Sequence, residues 1–155
     1  MGIEIERKFL VRNDNWRRQA DSGVFYSQGY LGSDPKSSIR VRIAGPRAWL
    51  NIKSATSPIR RLEYEYEIPV QDAMELLHGL CSESPIEKTR YRVTHQGHVW
   101  EIDVFDGENA GLIVAEIELH DEAEAFARPD WLGEEVSDDP RYYNMNLAKV
   151  PFSKW

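Results

Sequence analysis

At 155 residues, with hydrophobic types making up 41% of the chain and charged types 29%, a single folded domain spanning 1–155 is expected. The formal net charge of −7 argues against the basic surface of most nucleic-acid binders, and no apolar run approaches the roughly 20 residues that cross a bilayer. Strand pattern starts with no signal peptide and Cys81 has no partner for a disulfide, so a cytoplasmic protein with no nucleic-acid or membrane partner is expected.

Alternation begins at the first residues. Glu4, Glu6 and Lys8 share one strand face, while Ile3, Ile5 and Phe9 share the other. Arg7 points with the apolar set and is expected to be structural. Strands are predicted near 3–11, 24–31, 37–44, 48–54, 59–68, 86–95, 98–105 and 112–119. Gly45-Pro46 and Gln96-Gly97 mark tight turns, hence antiparallel hairpins. A helix is predicted over 70–80, where Val70, Ala73, Met74, Leu77 and Leu80 recur at helical spacing after Pro69. Cys81 sits in that apolar pattern and is expected in the core. A short helix is predicted after Asp121, with Glu124 three residues on as in a capping box. Another is predicted at Asp139-Pro140, a cap residue followed by proline. These elements describe a mainly β (α+β) domain, most simply an antiparallel barrel or strongly curved sheet with a few peripheral helices.

The polar faces of the strands are unusual. The third carries Ser38, Arg40 and Arg42; the fourth, Asn51 and Lys53; the fifth, Arg61, Glu63, Glu65 and Glu67. The sixth carries Lys88, Arg90 and Arg92; the seventh, Glu101 and Asp103; the eighth, Glu116 and Glu118. Alternating charge on one strand is ordinarily a solvated sheet face. Here the faces are nearly all charged and the signs are sorted by strand: acids on the first, seventh and eighth, bases on the third, fourth and sixth. Closed inward, such a sheet encloses charge that costs several kcal/mol per group if unpaired. Carboxylates would hold a divalent cation through oxygen, arginines would clamp oxyanions, and a linear polyphosphate with bound Mg²⁺ fits both halves. The four histidines lack metal-ligand spacing, and no glycine-rich phosphate loop, nucleophile elbow or zinc motif occurs.

The run Glu4-Ile5-Glu6-Arg7-Lys8 resembles the Glu-x-Glu-x-Lys signature of the CYTH superfamily, the triphosphate tunnel metalloenzymes. The resemblance continues through Gln28-Gly29-Tyr30-Leu31, Arg40-Val41-Arg42, Lys53, Glu63-Tyr64-Glu65, Lys88-Thr89-Arg90-Tyr91, Glu101-Ile102-Asp103 and Glu116-Ile117-Glu118. The tail from Tyr142 to Ala148 is similar to that of the short bacterial inorganic triphosphatases. The resemblance implies an eight-stranded antiparallel β-barrel or tunnel that binds a triphosphate with Mg²⁺ or Mn²⁺, two ions being expected. It implies phosphate binding by Lys8, Arg40, Arg42, Lys53, Lys88 and Arg90, with Arg92 facing the same way and Arg60 or Arg61 at a mouth. Glu4, Glu6, Glu63, Glu65, Asp103, Glu116 and Glu118 would ligate metal or orient metal-bound water. If the first two strands pair, Lys8 lies beside Tyr30, and the two serve together as general base; otherwise Tyr30 is a packed residue bonded to a lysine.

The activity this implies is hydrolysis of tripolyphosphate to pyrophosphate and phosphate. Class IV adenylate cyclisation on the same fold would need a site for adenine and ribose, and no segment can be assigned to one. A thiamine triphosphatase would want an aromatic clamp, for which Trp16 and Trp49 are the candidates. A non-catalytic polyphosphate-binding module would use the bases but hardly the carboxylates. An apolar outer barrel surface is compatible with a homodimer.

Overall fold

A computed structural model describes residues 2–32, 34–55 and 57–155. They form nine strands: β1 (Gly2–Val11), β2 (Val24–Tyr30), β3 (Ser37–Ala44), β4 (Arg47–Ser54), β5 (Arg60–Ile68), β6 (Ile86–His95), β7 (His98–Phe105), β8 (Ile113–Leu119) and β9 (Leu132–Glu135). Two α-helices accompany them, α1 (Val70–Gly79) and α2 (Asn144–Lys149). All pairings are antiparallel, in the order β5-β4-β3-β2-β6-β7-β8-β1. The start of β1 returns to β5, from Gly2↔Glu63 to Ile5↔Arg60, and closes eight strands into the expected barrel.

The hairpin turns lie where the sequence places them. Gln96 and Gly97 both take positive φ between the paired His95 and His98, the geometry a two-residue loop needs to match strand twist. Gly45 does the same ahead of Pro46. The ninth strand was not predicted. Leu-Gly-Glu-Glu is too short to show alternation, and it forms because β1 has an open edge once β5 has diverged, pairing Phe9↔Glu135 and Val11↔Leu132.

Most of the apolar core lies outside the barrel. Ile5, Phe9, Trp100, Ile102 and Ile117 point outward and are covered by Trp16, Phe126 and Trp131. Trp16, a candidate for an aromatic clamp, is 1% exposed and packs against Tyr91. On the other side α1 lays Ala73 and Leu77 against Val41 and Ala48. The helix ends at Gly79, so Leu80 is exposed and Cys81 is only half-buried rather than core. The predicted helix after Asp121 is a turn instead. Asp121 Oδ1 accepts from the Ala123 N–H at 2.8 Å and Glu124 from the His120 N–H at 2.6 Å, while the chain runs on extended to bring Phe126 and Trp131 onto Trp100. At Asp139-Pro140 the prediction holds as a 3₁₀ turn, Pro140–Tyr142, capped by Asp139 and leading into α2.

The interior is polar along most of its length and apolar at one end. Ile86, Phe105 and Val114 continue the inward faces of β6, β7 and β8 and pack with Tyr142 and Leu147 of the C-terminal segment, which seals that end. Along β1 the inward face therefore runs from Glu4 and Glu6 through Lys8 to Leu10 at the seal. Among the described residues no helix is long and apolar enough to cross a membrane.

At Gly133 β9 meets the backbone of β1 closely. A Cβ there would stand 2.9 Å from the Leu10 carbonyl oxygen, backbone that cannot swing aside. Gly133→Ala is expected to lower stability by about 1–3 kcal/mol through overpacking, read by urea denaturation. An unchanged midpoint would mean that β9 moves away from β1 without loss.

Candidate active site

The barrel encloses a cavity of about 650 Å³, within the usual range for small-molecule sites. Strand order gives its walls opposite character. β4, β3, β2 and β6 are neighbours and carry Lys53, Arg40, Arg42, Lys88 and Arg90; β7, β8, β1 and β5 complete the circle and carry most of the acids. Lys8 and Arg61 are the cations on the acidic side, and Arg61 spans Glu4 and Glu6 at 3.7 and 3.9 Å. Arg60 points away from the cavity on exposed surface.

The basic wall is held by one buried carboxylate. Asp103, with no exposed surface, accepts from Lys88 Nζ at 2.7 Å and from Arg90 Nε and Nη2 at 2.7 and 2.9 Å. Burial would raise its pKa, but the two cations outweigh burial and hold the carboxyl below its usual range. Its oxygens are thus spent on fixing two bases, behind the cavity surface. Burial lowers the Lys88 ammonium to about 7 against the pull of Asp103, with Arg90 pushing the same way, so an arriving anion would strengthen its charge. Arg90 also reaches Glu101 at 3.4 Å and Glu116 at 3.5 Å, and Arg92 reaches Glu101 at 3.7 Å.

Three cations of the cavity make no ion pair among the described residues: Lys8, Arg40 and Arg42. Arg40 is buried and its Nε has no partner. Arg42 donates through Nε to Gln28 Oε1 at 3.1 Å and lies 4.8 Å from the Tyr26 ring, with Arg90 on the same ring at 5.1 Å. Burial, then Arg40 and Arg90, push Arg42 down to about 10. Lys8 donates to the Tyr142 carbonyl at 3.3 Å.

On the acidic wall, Lys53 Nζ lies 2.9 Å from Glu4 and 3.4 Å from Glu63, one ammonium for two carboxylates. Burial and Glu63 push Glu4 up despite Lys53; Glu63, although also disfavoured by burial, is pulled to about 2 by Lys53 and Asn51. Asn51, 1% exposed, donates to both Glu63 and Glu65 at 3.1 Å. Partial shielding from water, then Glu101, Glu63 and Glu116, raise Glu118. Surplus, mutually repelling carboxylate oxygens are the donor chemistry of a hard divalent cation. Among the described residues no three acidic, histidine or cysteine side chains converge tightly enough to cage an ion alone.

The structure thus brings to one cavity Tyr30 and every candidate phosphate- or metal-binding residue except Asp103, which stands behind it; Arg60 and Glu67 lie outside, Glu67 bound to Arg47. It corrects the relation of Lys8 to Tyr30. β1 and β2 do not pair, since β2 lies between β3 and β6, so the two residues face the same space from different walls. Trp16 and Trp49 do not line the cavity, so neither serves as an aromatic clamp. Sequence reasoning placed Asn51 on the polar face of the fourth strand but gave no role to it, nor to Gln28 and Asn144, which carry no charge pattern; only inward parity on β2 marks Gln28. Arg7 is structural as expected, bound to Glu135 at 2.5 and 2.9 Å and lying over Phe126.

A closed barrel with unpaired guanidinium on one wall and surplus carboxylate on the other is built for a polyanion and its counter-cation. The CYTH domain model matches residues 2–143, and the chain belongs to that family. It is 50% identical over 155 residues to an inorganic triphosphatase of Acetivibrio thermocellus, covering 100% of this chain and 99% of that one. It is 38% identical over 149 residues to an inorganic triphosphatase of Nitrosomonas europaea, covering 94% and 96%. The crystal structure of an inorganic triphosphatase superposes with a TM-score of 0.66 at 37% identity, over 94% of this chain and 93% of that one. Triphosphatases of this family are metal-dependent.

The acidic wall predicts its own test. Added Mg²⁺ is expected to stabilise the protein by roughly 1 kcal/mol at several times its Kd, about 2–4 °C in Tm, with a smaller shift in Glu118→Gln. Equal shifts in the two proteins would remove Glu118 from the cation site.

Proposed function

We propose that this protein hydrolyses inorganic tripolyphosphate to pyrophosphate and phosphate inside the barrel. One observation carries the reading. Among the described residues Lys8, Arg40 and Arg42 face the cavity without an ion pair to a carboxylate, although acids line the wall opposite the two arginines and the wall that carries Lys8. Cations kept free at that cost in burial serve an external anion. The cavity is sealed at one end, and its charged surface suits a phosphate chain without an organic moiety.

Arg40, Arg42 and Arg90 would bind non-bridging oxygens and stabilise the charge that spreads over them during phosphoryl transfer. Lys53 and Lys88 would hold the remaining phosphates as point charges. Glu4, Glu6, Glu63, Glu65, Glu116 and Glu118 would hold Mg²⁺ or Mn²⁺, two ions in our reading. When bound, such ions offset charge on phosphate oxygens and acidify a ligated water. Asp103 fits a positioning role toward Arg90 and Lys88 better than direct ligation. Tyr30, as phenolate, would take the proton of the attacking water at its phenolic oxygen and become the neutral phenol. Lys8, facing the same cavity from another wall, would bind phosphate by exchanging the Tyr142 carbonyl for a substrate oxygen. Ile3, Leu62 and Tyr66 are exposed on the neighbouring outer faces of β1 and β5, which supports a homodimer contact there.

Purified protein offered tripolyphosphate, ATP and thiamine triphosphate with Mg²⁺ or Mn²⁺ is expected to turn over tripolyphosphate by preference, and EDTA to stop it. Preferential release of cyclic nucleotide or thiamine diphosphate would overturn the reading. Arg42→Ala is expected to lower kcat/KM about 10²–10³-fold. For Tyr30→Phe the expectation is a fall in kcat of about 10²–10⁴ with binding intact; near wild-type turnover would remove Tyr30 from proton transfer.

A further inference from the structure

Resting on that triphosphatase reading, we propose that Asn144 and Gln28 are positioning residues that hold Lys88 and Arg42 ready for the substrate phosphates. The two amides lie between the two cations in one hydrogen-bonded chain. Lys88 Nζ donates to Asn144 Oδ1 at 2.9 Å, Gln28 Nε2 donates to the same oxygen at 2.9 Å, and Arg42 Nε donates to Gln28 Oε1 at 3.1 Å. Its polarity is forced. Lysine and arginine are donors only, so each amide must turn its oxygen to a cation, and Gln28 is left with its N–H₂ for Asn144.

Gln28 is fully buried, stands directly across from Arg42 in the β2–β3 register, and is tied at both ends of its amide. Asn144 opens α2, whose place is set by Tyr142 and Leu147 in the apolar seal. The segment that closes the barrel thereby also fixes a phosphate-binding lysine.

Neutral partners matter here. Asp103 already holds Lys88 and Arg90 at the expense of their net charge. A second carboxylate at position 144 would orient Lys88 equally well but neutralise it and repel phosphate. Amides orient Lys88 and Arg42 while leaving their charge to the substrate. Such contacts act alike on bound substrate and transition state, so their loss appears in KM rather than kcat.

The test compares wild type, Asn144→Ala, Asn144→Asp, Gln28→Ala and the double alanine variant. Tripolyphosphate binding is measured by calorimetry in EDTA, turnover with Mg²⁺, and folding by thermal melting. Asn144→Ala is expected to weaken binding about tenfold and raise KM by a similar factor, with kcat within about threefold. The double variant is expected to bind no more than about twofold worse than the weaker single, because both break one chain. Asn144→Asp keeps an acceptor for both donors and suits a helix N-terminus, so it is expected to melt like wild type yet bind tripolyphosphate more weakly; a purely structural residue would leave its binding unchanged. If Gln28→Ala does not fold, the two Asn144 variants decide alone. Wild-type affinity in Asn144→Ala or in Asn144→Asp, or additive losses in the double variant, overturns the relay and leaves the triphosphatase reading standing. A wild-type chain that neither binds nor hydrolyses tripolyphosphate overturns both.

Discussion

Everything in this molecule follows from putting charge on the inside of a closed sheet. Barrel closure removes the sheet edges, but it also takes the inward faces of eight strands away from bulk water. Each ionised group there must find a partner, accept a shifted pKa, or wait for a ligand. All three outcomes are present. Asp103 with Arg90 and Lys88 is fully paired; Glu4 and Glu118 are pushed up; Lys8, Arg40 and Arg42 make no ion pair among the described residues. The apolar residues, displaced from the usual core, pack between the outer barrel surface and the segments that wrap it.

The two walls use the same device in opposite senses. On the acidic side Asn51 donates to Glu63 and Glu65 and orients oxygens without adding charge. On the basic side Gln28 and Asn144 accept from Arg42 and Lys88 and orient donors without neutralising them. A buried amide presents either a donor or an acceptor at no net charge, so it can hold either wall while leaving its field for ligands. The C-terminal segment joins this scheme to the fold, since Tyr142 and Leu147 seal the apolar end and Asn144 enters the polar network three residues before Leu147.

How much was legible in the sequence depended on periodicity. Side chains two apart in a strand share a face whatever the strand pairs with, so Glu4, Glu6 and Lys8, or Lys88, Arg90 and Arg92, were grouped correctly without coordinates. Turn chemistry at Gly45-Pro46 and Gln96-Gly97 likewise acts locally. Signals that needed a distant partner failed. Asp121 and Glu124 have the spacing of a helix cap, yet their oxygens serve a turn while Phe126 and Trp131 are drawn to Trp100. Trp16, a clamp candidate by sequence, is instead buried against Tyr91. The four residues of β9 had no pattern to read and pair only because β1 offers an edge.

By itself, then, the sequence determined the strands, their charged faces and, through an ordered set of motifs, the family, because alternation and motif spacing are properties of consecutive residues. Tertiary structure decided which strands are neighbours. The order that runs β4-β3-β2-β6 on one side and β7-β8-β1-β5 on the other turns charges sorted by strand into two opposed walls. The same order separates Lys8 from Tyr30, sets Asp103 against Arg90 and Lys88, and brings Gln28 to Asn144 across 116 residues of chain. Those are contacts between segments remote in sequence, and the free energy that selects them comes from burying the outer apolar faces and pairing the inner charges together.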